Sequence, residues 1–154
     1  MNQNQLNTQL AQMRVKITQL VHHGLPLLIG AKIVSLIKDN FQREGFFGQK
    51  WQDVKRRTDP KRFNKHHPTD AQRKILTGRT ADLGRSIQYR TEDGGVTIFS
   101  DKVYAAVHNY GGRAGAGRRV VIPKRQFLGH HNLIEQEVQN IIKNEINKII
   151  NKQP

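Results

Sequence analysis

The stretch VYAAVHNYGGRAGAGRRVVIPKRQFLG, Val103–Gly129, decides the fold, together with LTGRTADLGRSI, Leu76–Ile87, just upstream. Seven of the chain's 13 glycines fall in these two segments, so the turns of the second half are fixed here. Ser100 or Asp101 suits the cap of a helix over Lys102–Asn109, with Val103, Ala106, Val107 and Tyr110 on one side. Gly111-Gly112 ends that helix. Arg113 to Arg119 contains only Gly, Arg and Ala and has no apolar anchor, which predicts a loop that is mobile unless a partner orders it. Val120-Val121-Ile122 is a short strand ended by Pro123, and Phe127-Leu128 supplies a closing apolar plug.

Upstream, Ile87, Tyr89 and Thr91 alternate with Gln88 and Arg90, Glu92-Asp93-Gly94-Gly95 is a turn, and Val96–Ser100 returns. A β-hairpin follows from that alternation. Thr69 or Asp70 caps a short helix, Ala71–Leu76, which stops at Thr77-Gly78. Between Gln49 and Thr69 the chain is polar and aperiodic with two prolines, and it reads as a long basic loop or insertion. Residues 49–79 hold ten Lys/Arg against three acidic residues, a net +7. Trp51 and Phe63 interleave with these charges; they either stack on bases or, as is commoner, pin the loop to the body.

Leu6, Leu10, Met13, Ile17 and Leu20 recur at helical spacing and predict a helix over about Asn4–Val21, suited to docking on a partner or on its own domain. His22-His23-Gly24 is expected to break it, and Pro26 to open a second helix running to about Arg43. Leu133, Val138, Ile141, Ile142, Ile146, Ile149 and Ile150 mark an amphipathic helix from about Asn132 to Asn151. The class is α+β: N-terminal helices, a small antiparallel sheet with a packed helix, and a C-terminal amphipathic helix. Residues 1–48 form the helical start, 49–69 the basic loop, 70–129 the α+β core and 130–154 the last helix, all one domain with appendages.

The 154 residues carry 26 Lys and Arg against 12 acidic residues, a net charge of +14. A field of that sign favours polyanionic partners, nucleic acid above all. There are no cysteines, which removes thiolate chemistry, disulfides and Cys-based metal sites. The start lacks the basic and apolar regions of a secretory signal, and the apolar run Leu25–Val34 falls well short of the ~20 residues a membrane span needs. The chain reads as soluble.

Catalytic chemistry is not legible. Three His-His pairs, 22–23, 66–67 and 130–131, place adjacent imidazoles in different directions, and a helical His-x-x-x-His is absent. His108 has no Ser, Asp or Glu at motif spacing. The Gly111–Arg119 run lacks the Gly-Lys-Ser/Thr end of a phosphate loop and precedes a strand instead of opening a helix. The acidic residues are scattered, without the convergent pair that nuclease or glycosidase chemistry requires. No catalytic residue, cofactor or metal ligand is therefore expected.

The ordered set Leu-Thr-Gly-x-x-x-x-Leu-x-x-Ser-Ile at 76–87, Val-x-Ile at 96–98, Tyr-Ala-Ala-x-His-x-x-Gly-Gly at 104–112 and Ile-Pro-x-Arg-x-Phe-Leu-Gly at 122–129 resembles the phage virion morphogenesis family. That family includes tail-completion and head–tail joining proteins of tailed phages and Mu-like prophages. The resemblance covers about residues 33–129; the polar N-terminal helix and the basic insert depart from it. Leu76, Gly78, Leu83, Ile87, Tyr104, His108, Gly111, Pro123, Phe127 and Leu128 carry it, and each has a packing role to play: Tyr104 and His108 facing the sheet, Pro123 with Phe127 and Leu128 closing the core.

What the resemblance implies is a non-enzymatic structural protein of the virion neck or tail end, assembled in the host cytoplasm. Its partners would be other neck, tail or head-completion proteins and copies of itself in a ring around the DNA channel, with a hexamer as the suggested stoichiometry and no membrane contact. Lys55, Arg56, Arg57, Lys61, Arg62, Lys65, Arg113, Arg118 and Arg119 would then face packaged DNA or acidic neighbours. The competing reading of the same charge is a free basic nucleic-acid-binding protein.

Overall fold

A computed structural model describes residues 2–63 and 68–151. Helix α1 (Gln3–Gln19) opens with a capping box: the Asn2 side chain accepts from the Asn4 N–H at 2.7 Å while Gln5 accepts from the Asn2 N–H at 3.0 Å. The expected break at His22-His23-Gly24 does not occur. A π-helical turn, Leu20–Gly24, carries α1 straight into α2 (Leu25–Arg43), with the Leu25 N–H donating to the Leu20 carbonyl. A wide turn absorbs one extra residue and accommodates Pro26, which has no N–H to give a regular ladder. By length and composition alone the 41-residue helix is long and apolar enough to cross a membrane. Part of that apolar content is core: Ile33, Val34, Ile37 and Phe41 are all buried.

Beyond α2 come β1 (Gly45–Phe46) and β2 (Gln49–Lys50), paired antiparallel, then the short helices α3 (Lys55–Thr58) and α4 (Pro60–Phe63). The described part of the basic segment, expected as a long loop or insertion, thus contains short helical turns, and Lys65 and His66-His67 lie outside the described residues. A 3₁₀ turn at Pro68–Gln72 replaces the helix expected over 71–76. Then follow α5 (Asp82–Arg85), the expected hairpin of β3 (Ile87–Glu92) and β4 (Gly95–Ser100), and α6 (Ala105–Tyr110).

The Gly/Arg/Ala segment departs from expectation. It is no bare loop: β5 (Gly112–Ala114) pairs antiparallel with β6 (Val120–Ile122), Arg113 opposite Val121, around a 3₁₀ turn at Ala116–Arg118. Four residues in this hairpin have positive φ, the glycines at 112, 115 and 117 and Arg118 at +53°, which is why the sequence needs so many glycines there. Helix α7 (Asn132–Asn151) closes the chain. The class is α+β as expected, mostly helical, with three two-stranded sheets among the described residues in place of one.

The chain divides into two compact units. The first is drawn from Met1–Ile33, Tyr89–Thr97 and His130–Pro154, the second from Val34–Gln88 and Ile98–Gly129. In the first unit α1 lies against α7, Lys32 pairs with Glu137 at 3.4 Å, and His22 Nδ1 pairs with Asp93. Neither α1 nor α7 buries any residue fully.

The second unit holds the deep core, built on Ile37, Phe41, Trp51, Ile75, Leu83, Ile87 and a fully enclosed Phe127. The Phe41 ring meets Trp51 edge-on at 5.4 Å and Phe127 at 5.3 Å. Trp51 therefore pins its segment to the body, and its indole N–H donates to the Gln126 carbonyl at 2.7 Å. Buried Asn109 adds a polar tie: its carbonyl accepts from the Phe127 and Leu128 N–H groups at 2.8 and 2.9 Å, and its amide donates to the Leu128 carbonyl at 3.1 Å.

Candidate functional site

The separated pieces of the sequence signature converge within the second unit. Leu76, Thr77 and Gly78 from the turn, Leu83 from α5, Tyr104 and His108 flanking and within α6, and Arg125 from the closing segment line one pocket of about 330 Å³. Tyr104 and His108, expected to face the sheet, both line this pocket. They stand edge to face, ring centroids 6.1 Å apart, on the pocket wall. Val103, expected on the apolar side of the helix, precedes α6 and is 97% exposed, while Ala105 and Asn109 take the buried positions.

Arg125 is the chemically distinctive wall residue. It is only 7% exposed. Its Nε donates to the Gln52 carbonyl at 2.8 Å and its Nη2 to the Asp53 carbonyl at 3.1 Å, while its own N–H donates to the His108 carbonyl. Among the described residues no carboxylate lies within ion-pairing distance of it. Burial lowers its pKa, with neighbouring Arg56 adding to the effect and Asp53 opposing it. Burial, and secondarily Arg125, likewise lowers the pKa of His108, favouring the neutral imidazole, whose Nδ1 is buried without a hydrogen-bond partner. In the sequence Arg125 stands out only as one letter of the Ile-Pro-x-Arg-x-Phe-Leu-Gly motif. A lone arginine beside Pro and Phe gave no sign of burial.

The expected basic contacts sort into two groups. Arg56 and Arg57 turn inward: Arg56 donates to the carbonyls of Asp70, Arg73 and Lys74, and Arg57 forms a fork on Glu44, 2.6 and 3.1 Å, plus the Ala71 and Arg73 carbonyls. Glu44 also accepts from the Ile75 N–H at 2.6 Å, and the Arg57 hydrogen bonds hold its pKa below the usual carboxylate value against the opposing effect of burial. These two arginines knit the basic segment to the 70–75 turn and have little left for a partner. Lys55, Lys61 and Arg62 are exposed, as are Arg113, Arg118 and Arg119 on the β5–β6 hairpin.

Charge is unevenly shared. The second unit carries 19 Lys/Arg against 7 Asp/Glu, net +12, and the first carries 7 against 5, net +2. Both units expose apolar side chains, Leu6, Leu10, Val15, Leu27, Leu28 and Ile150 in the first and Val103, Tyr110, Val120 and Val121 in the second; the first also holds a groove of about 670 Å³ between Leu28 and Lys32 of α2 and the C-terminal half of α7. Among the described residues no group of three or more His, Asp or Glu is placed to hold a metal ion.

A model of the phage virion morphogenesis family matches residues 2–147. The match takes in both the N-terminal helix and the basic segment, which the motif resemblance had left outside. The chain is similar to the Mu-like prophage FluMu G protein 2 of Haemophilus influenzae, 41% identical over 49 residues, or 32% of this chain and 36% of that protein's length. No solved structure matches the chain.

Proposed function

The chain belongs to the phage virion morphogenesis family, and from that premise we propose that it is a tail-completion or head–tail joining protein of the neck, working without catalysis in a homo-oligomeric ring around the DNA channel. A structural, virion-associated role follows from the family. The observation that supports the finer placement is the segregation of charge, +12 in one unit and +2 in the other. A subunit of a DNA-lining ring needs one surface that tolerates a polyanion and another that packs on protein. The nearly neutral first unit, with its exposed leucines and the α2–α7 groove, suits subunit or tail contacts, and the second suits the lumen.

Mass measurement of the purified protein, combined with imaging of particles carrying a labelled chain, tests the reading. The expected result is a discrete ring, hexameric by the resemblance, at the head–tail junction. A monomer that binds only bare duplex, with no density at the junction, replaces it with the free nucleic-acid-binding reading.

A further inference from the structure

The pocket of the second unit contains a buried guanidinium that no carboxylate reaches to within ion-pairing distance among the described residues. A guanidinium taken out of water costs several kcal/mol unless an anion or a full set of acceptors meets it. Arg125 is 93% buried by its 7% exposure, has two backbone carbonyls and has no carboxylate partner among the described residues. Arg56 lines the same pocket, and its Nε and Nη2 are held by three carbonyls, again with no ion pair. We propose that this pocket receives a carboxylate side chain from a partner protein, with Arg125 as the buried anchor and His108 as its neighbour.

Three features favour a protein carboxylate over a nucleic-acid phosphate. Volume is the first: about 330 Å³ admits a single side chain and its flanking backbone but not a duplex, whose phosphates sit on a stiff convex rod. Second, Val54, Leu76, Leu83 and the Tyr104 ring give the walls apolar surface, which suits the methylenes of Glu or Asp. The third is Asp82, which also lines the pocket and forms no ion pair among the described residues. Its carboxylate repels any anion, a doubly charged phosphate more than a singly charged side-chain carboxylate, and a peptide also brings backbone N–H donors that Asp82 accepts.

The choice of protein as the source rests on the reading of the chain as a virion structural component; the anion preference rests on Arg125 alone. The probe is N-acetylglutamate α-amide, titrated into the full isotope-labelled chain and followed on the His108 imidazole and Arg125 Nε signals. Its glutamine counterpart and inorganic phosphate serve as comparisons at matched ionic strength. Saturable shifts are expected with the glutamate probe, at least fivefold weaker with either comparison, together with a rise in the His108 titration midpoint when the probe is bound.

Arg125→Gln should weaken binding at least tenfold. Because that variant also cuts the ties to Gln52 and Asp53 and can lose the fold, Thr80→Glu provides a second arm. Thr80 lines the pocket and is exposed, so a carboxylate there occupies the site from within, blocks the probe and raises the His108 midpoint by itself. Absence of saturable shifts, phosphate binding as tightly as the glutamate probe, or unchanged probe binding in Thr80→Glu each overturns the proposal. None of these readouts needs a ring, so they fail or succeed separately from the neck placement.

Discussion

At the residue scale, Glu44 decides how the basic segment folds, and nothing in its sequence neighbourhood reveals that. It sits just past α2 with φ +54°, a left-handed position more usual for glycine, and anchors both Arg57 and the Ile75 N–H. In the sequence Arg57 reads as a partner contact, because a run of Lys and Arg looks alike whether it points out or in. The pairing spans 13 residues, beyond any local periodicity. Because the Glu44 pKa is lower in the fold than its ordinary value of 4.5, its contribution to stability is present above that value and is lost as pH falls through the folded pKa. Glu44→Gln should therefore destabilise the protein by about 1–3 kcal/mol at pH 7, and the gap to the parent should close on acidification towards pH 3. Urea midpoints of both proteins across that range check it; a gap independent of pH means the ion pair is not its origin.

At the element scale, the β3–β4 hairpin and α7 were legible because period-two and period-3.6 patterns are local. Of the β5–β6 hairpin only β6 was legible, as the short strand Val120–Ile122; its partner β5 was not, since it is three residues long and its Gly-rich composition reads as loop. The α1–α2 junction misled for the opposite reason: Gly and Pro close together signal a stop, and a π-turn passes through it. The glycines themselves can be ranked. Gly111 has φ +77° and a methyl there would stand 2.9 Å from the Lys124 backbone nitrogen; Gly94 has φ +67° but open space. Gly94→Ala pays only the left-handed penalty of about 1 kcal/mol, whereas Gly111→Ala adds a backbone clash and should cost at least about 2–3 kcal/mol. Thermal unfolding of the two variants measures the difference, and equal losses would mean the turn before β5 yields without resistance. The same clash explains why a glycine stands between α6 and the segment carrying Arg125.

At the scale of the whole molecule, net charge was legible from composition but its distribution was not, because each unit is assembled from stretches far apart in sequence. The candidate site followed the same rule: the motif's order was visible, its convergence on a pocket around a buried arginine was not. Distribution also narrows which cations can meet DNA. Arg56 and Arg57 are tied to the 70–75 turn and Glu44, and Arg125 is buried out of reach of a duplex, while Arg113, Arg118 and Arg119 are exposed on one hairpin with no ion pair among the described residues. Each phosphate contact releases counter-ions and contributes ~0.9 to the slope of log K against log salt on duplex DNA. Replacing all three hairpin arginines with glutamine should therefore lower the slope of the isolated protein by about 2–3 with little change in thermal stability, since none of them closes a core contact. Filter binding or fluorescence titration between 50 and 300 mM salt reads it. An unchanged slope would move the DNA-facing charge to Lys55, Lys61 and Arg62, and would leave the hairpin as a surface for acidic protein neighbours.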